Sequence, residues 1–148
     1  MRISAKGEYA IKAMLDLALH YGQGLIPIQD IAARQGIPQR YLEQVLLLLK
    51  RAGFLQSKRG SAGGYQLMRP PQEITVGAVL SAMEGSLERA EPRQRAGRRS
   101  ASDHARDLEA LWEEISAAVS AVVDGVTFGD LGQRVEQRRS AARPMYHI

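Results

Sequence analysis

A mainly α-helical fold carrying one small β-hairpin is predicted by three features of the sequence. Apolar residues recur at helical spacing along residues 5–21, 38–53 and 103–123. Two runs short enough for strands, residues 54–58 and 65–68, flank a turn rich in glycine. The helix before that hairpin follows another short helix after only a few residues, as a helix-turn-helix unit requires. Together these predict a winged helix-turn-helix followed by a long dimerisation helix.

Ser4 suits the cap of a first helix reaching about Tyr21, with Ala10, Met14, Leu17, Ala18 and Tyr21 on its inner face and Gly22 and Gly24 ending it. A short helix is expected over residues 28–35, with Ile28, Ile31 and Ala32 inward, no side-chain cap at Pro27, and Gly36 as its stop. The third helix opens at Pro38, whose fixed φ suits a first turn, and ends by Gly53 beyond the cations Lys50 and Arg51. Leu42, Val45, Leu46 and Leu49 form its apolar stripe, and Leu47 and Leu48 widen that face, so it is expected to touch more than one neighbour.

Gln39, Arg40, Tyr41, Glu43 and Gln44 fall largely off the stripe, at the N-terminal end where recognition helices read a major groove. A solvated polar face is the competing explanation for this helix taken alone. The hairpin turn runs Lys58, Arg59, Gly60, Ser61, Ala62, Gly63, Gly64, Tyr65. Small residues, free N–H groups and two cations are what a wing lying on phosphates needs. After the hairpin, Thr75 can cap a helix over residues 76–84.

The net charge of +4 is unevenly placed. Residues 1–85 hold ten Lys or Arg against six Asp or Glu, and residues 86–148 hold ten against ten. The excess therefore accompanies the helix and wing, as an anion-binding module would have it. Residues 86–102 read as a linker containing Arg93, Arg95, Arg98 and Arg99. Residues 103–139 read as the dimerisation helix and a short following helix, opened by Thr127 and Asp130 and carrying Phe128, Leu131 and Val135. Leu108, Leu111, Trp112, Ile115, Val119 and Val122 line one face of the long helix, which can fold back on its own domain or pair with a second copy. Pairing is the favoured expectation, because a reader with one recognition helix gains site size by dimerising. Residues 140–148 form a tail without periodicity.

Several function classes are disfavoured. No run of ~18 apolar residues is present to span a bilayer. The first ten residues, MRISAKGEYA, lack a signal-peptide core, so a cytoplasmic protein is expected. The chain has no cysteine, which removes disulfides, thiol catalysis and cysteine-held metal or iron–sulfur sites; no cofactor is expected. His20, His104 and His147 lie far apart, no nucleophile motif occurs, and an enzyme is not expected. His20 reads as a surface residue complementing a helix end. Two alternatives stay open: a non-specific DNA-coating protein, and a regulator gated by a small molecule held near Trp112.

The segments MRISAKGEYAIKAM, RYLEQVLLLLKRAGF, KRGSAGGYQL and ITVGAVLSAMEG resemble the Rrf2 family of bacterial winged-helix regulators. The resemblance covers nearly all of residues 1–85 and continues more weakly through the long helix and VTFGDL. It implies a homodimeric transcription factor, usually a repressor, on a partly palindromic operator in double-stranded DNA. Many members hold an iron–sulfur cluster on three cysteines before the dimerisation helix; this chain has RQRAGRRSASDHA there, so that role is not carried over. The branch it most resembles is the cysteine-free repressors of cysteine metabolism. In them the signal arrives through cysteine synthase, an enzyme that also accepts an isoleucine-ending peptide in its cleft. The resemblance thus implies a cysteine synthase contact at Met145, Tyr146, His147 and Ile148.

Overall fold

The computed structural model describes residues 3–84 and 103–142. The order is α1 (Ala5–Leu19), α2 (Ile28–Gln35), α3 (Gln39–Arg51), β1 (Leu55–Lys58), β2 (Gly64–Leu67), a 3₁₀ turn (Pro71–Glu73), α4 (Val76–Glu84), α5 (Asp103–Asp124) and α6 (Phe128–Ala142). This is the predicted winged helix-turn-helix, mainly α with one antiparallel hairpin.

Helix α1 is the hub, packing against α2, α3, α4 and α6. Ala10, Ala13, Met14 and Leu17 face the core. Ser4 caps it, its Oγ accepting from Gly7 N–H at 3.1 Å. The Ser4 N–H and hydroxyl donate in turn to Glu84 Oε1, so the end of α4 completes the cap from a distant part of the chain. Tyr21 departs from expectation: α1 stops at Leu19, and Tyr21 lies beyond it, 49% exposed. His20, the C-cap of α1, is half-buried rather than on the surface, and it meets the helix end as expected, with Nδ1 2.7 Å from the carbonyl of Asp16.

Asp16 was not singled out by periodicity, yet it is 1% exposed. Arg34 from the last turn of α2 meets it with two parallel bonds, Nε to Oδ1 and Nη2 to Oδ2, both 2.9 Å. Gln35 Nε2 adds a third donor to Oδ1 at 3.2 Å. This bidentate pair fixes α2 against α1, and so the angle at which α2 hands the chain to α3.

Helix α3 buries Leu42, Val45, Leu46 and Leu49, the stripe read from the sequence. Leu48 is half-buried against the core, but Leu47 is 44% exposed and does not widen the packed face. The hairpin pairs Leu55 with Leu67 through Lys58 with Gly64. A bridge unforeseen in the sequence adds Ile26 beside Tyr65, with two backbone bonds of 2.8 and 2.9 Å.

The C-terminal part returns to the body. Thr127 and Asp130 exchange bonds as a capping box, each N–H reaching the other side chain at 3.0 Å. Val76 N–H donates to Val126 O and Phe128 N–H to Ile74 O, joining the α5–α6 corner to the start of α4. Phe128 is fully buried. Helix α6, expected to be short, has fifteen residues and packs on α1 and the 3₁₀ turn.

Candidate nucleic-acid interface

Opposite its buried stripe, α3 presents Arg40, Gln44, Leu47 and Arg51, at i, i+4, i+7 and i+11, with Glu43 beside them; all five are exposed. Gln39 is exposed at the helix start. Tyr41 is 53% exposed, on the flank nearest α1. There the Tyr9 ring meets the Tyr41 ring edge-on, with centroids 5.8 Å apart and an interplanar angle of 67°. Lys12 Nζ sits 6.0 Å from the Tyr9 centroid and 3.9 Å from Glu8 Oε1. Sequence reading missed this contribution of α1; the signal was an aromatic at position 9 beside the inner-face Ala10, with a cation at i+3.

The hairpin tip supplies a second exposed basic element. Lys58, Arg59, Gly60 and Ser61 are exposed, whereas Gly63, Gly64 and Tyr65 are half-buried. Gly60 has φ of 110°, and Gly63 N–H closes the turn onto Gly60 O at 3.0 Å. A Cβ on Gly63 would run into the carbonyl of Lys58, so the turn needs glycine there for space. Tyr65 packs against the core and, tied to Ile26, anchors the hairpin one pair below its turn.

Among the described residues, Leu108, Leu111, Trp112, Ile115 and Val122 on α5 remain exposed, Trp112 at 51% and Val122 at 64%, with Val119 half-buried. Trp112 lines neither of two open clefts. One, of about 420 Å³, lies between α1, the 3₁₀ turn and α6 beside Phe128. The other, of about 410 Å³, lies between Tyr21, Gly24 and Met68. Met145, Tyr146, His147 and Ile148, and the linker 86–102, lie outside the described residues.

The family model Rrf2, iron-dependent transcriptional regulator, matches residues 3–134. The HTH-type transcriptional regulator IscR of Aliivibrio salmonicida is 41% identical, over 88% of this chain and 77% of its own length. IscR of Vibrio cholerae is 37% identical, over 100% of this chain and 84% of its own. CymR, the global cysteine regulator of B. subtilis, superposes with a TM-score of 0.74 at 33% identity, over 90% of this chain and 98% of its own. IscR of T. potens superposes with a TM-score of 0.75 at 31% identity, over 99% and 94%. The iron in the family's description does not fit this chain as a thiolate-held cluster, because the sequence contains no cysteine. Among the described residues no three His, Asp or Glu side chains converge to hold an ion. The chain belongs to the Rrf2 family, as a DNA-binding transcriptional regulator of the winged-helix type.

Proposed function

We propose that this regulator is a homodimeric repressor that reads an operator through α3 and works without an iron–sulfur cluster. The observation that carries the reading is the two-sided character of α3. Its apolar stripe is buried to within 1%, while Gln39, Arg40, Tyr41, Glu43 and Gln44 are all left to solvent beside a basic wing. Gln and Arg are the side chains that bond purine edges, and the wing cations and N–H groups suit phosphate. Helix α5 supplies the pairing surface that sets two copies of α3 about one helical turn of DNA apart, ~34 Å.

Arg40→Ala tests the reading. If Arg40 bonds a base, discrimination between a selected duplex and a scrambled one should fall by ~1–3 kcal/mol. If it meets phosphate, affinity should fall alike on both duplexes and the salt dependence should flatten. Unchanged affinity for both removes Arg40 from the interface.

The genes under control are proposed to be those of cysteine and sulfur metabolism, on the likeness to CymR and the lack of cysteine. Residues 145–148 are then the segment a cysteine synthase would hold. Calorimetry decides this part: heat of binding to the enzyme should vanish when Met145, Tyr146, His147 and Ile148 are deleted. Heat that survives the deletion, or none with intact protein, sinks the tail contact.

A further inference from the structure

We infer that Leu47 is a specificity-determining residue that reads the C5-methyl group of a thymine in the major groove; this rests on the DNA reading proposed above. Leu47 is the one apolar side chain on the outer stripe of α3, with Arg40 and Gln44 on one side and Arg51 on the other. It is 44% exposed, although its neighbours on the opposite face are completely packed. An isolated exposed leucine on an ordinary surface asks for no explanation. Here the exposed side chains around it are Arg40, Gln44, Lys50 and Arg51 with Glu43 as the one anion, a net positive stripe that points to an anionic partner covering it.

Leucine has no donor or acceptor. Of the four base edges in a major groove, thymine alone offers an apolar group, its C5-methyl, and apolar side chains are the ones that contact it. Burying Leu47 against that methyl removes two apolar surfaces from water, which no other base at that position would do. The geometry also limits the register. Leu47 lies seven residues beyond Arg40, ~10 Å along the helix axis, two turns further along the same face. The thymine is therefore expected in the same half-site as the pair faced by Arg40, but at a different base pair.

The test uses a duplex enriched from a random-sequence pool by the full-length wild-type protein. Each thymine is replaced in turn by deoxyuridine, which removes only the C5-methyl. At one position per half-site, wild-type affinity should fall about three- to fourfold, the worth of one buried methyl. Leu47→Ala should bind the thymine duplex more weakly by a similar factor and be indifferent to deoxyuridine at that position, so that the two changes are not additive. Leu47→Met, which keeps an apolar side chain of similar volume, should retain the methyl dependence. Wild-type binding that tolerates deoxyuridine everywhere overturns the inference, as does methyl sensitivity that persists in Leu47→Ala. If Arg40→Ala and Arg59→Ala still weaken binding in that case, the DNA reading stands and only Leu47 falls. A pool that yields no common site overturns both.

Discussion

Replacing Arg34 with alanine should lower the free energy of unfolding by about 2–4 kcal/mol, below the ~3–5 kcal/mol of a fully buried pair because the Arg34 side chain is 40% exposed. Asp16 is 1% exposed and accepts both parallel bonds from Arg34. Without the guanidinium it keeps one amide bond from Gln35 and a histidine nitrogen 3.9 Å away, too little to offset its desolvation. The reverse change should cost less. Arg34 is 40% exposed at its side chain, so in Asp16→Asn the freed guanidinium turns to water, at about 1–2 kcal/mol. Arg34→Lys should fall between the two, since an ammonium cannot reproduce the planar fork. Urea unfolding at fixed protein concentration measures all three. Equal losses for Arg34→Ala and Asp16→Asn would show that the pair acts only as packing.

The pH dependence of this pair has a definite sign. Its hydrogen bond to Asp16 raises the Arg34 pKa above its ordinary value, outweighing the opposite effect of burial. A raised basic group contributes fully below its unfolded pKa and loses its contribution only as pH climbs through the folded one. For arginine that window lies far into alkali, so the Arg34 side of the bridge stays constant through neutral and acid pH.

Legibility in the sequence followed the range of the interaction. Ser4, Gly36 and Gly53 marked helix ends because capping is a property of a few consecutive residues. The stripe of Leu42, Val45, Leu46 and Leu49 was readable because burial repeats with the helix. The exposed Arg40 and Gln44 followed from the same wheel, and the wing from its glycines. Asp16–Arg34 was not readable, since periodicity marks Asp16 only as a polar neighbour of Leu17 and nothing in local spacing points to a residue eighteen positions away. The Ile26–Tyr65 bridge is a single pairing and leaves no alternation to detect. Helix α6 runs on to Ala142 through Gly132, Gln133, Arg134 and Gln137, a stretch with little apolar pattern. Docking of Phe128 and Leu131 on the core supports what local propensity leaves weak. Leu47 departs from expectation for a related reason: hydrophobicity alone points to a protein neighbour, whereas its angular position matches Arg40 and Gln44 and leaves it 44% exposed.

Ile115→Asp should convert a dimer to a monomer at micromolar concentration while leaving each protomer folded. Leu108, Trp112, Ile115, Val119 and Val122 are spaced by four, three, four and three residues, the alternation of a coiled-coil seam. Twenty-two residues of α5 give a rod ~33 Å long, enough for several interlocking layers. Within one protomer Ile115 is 38% exposed, so a carboxylate there can remain hydrated when the protein is monomeric. In the paired state it would be desolvated among apolar side chains, at several kcal/mol, and twofold symmetry imposes that cost in both copies. Operator affinity should then fall by ~100-fold or more, because the second half-site is no longer bound at high effective concentration. Affinity for scrambled duplex should change far less, since each monomer keeps its basic wing. Sedimentation velocity, with a urea melt of the variant, separates these effects. A monomeric wild type, or an Ile115→Asp protein that still sediments as a dimer, would place the pairing surface elsewhere.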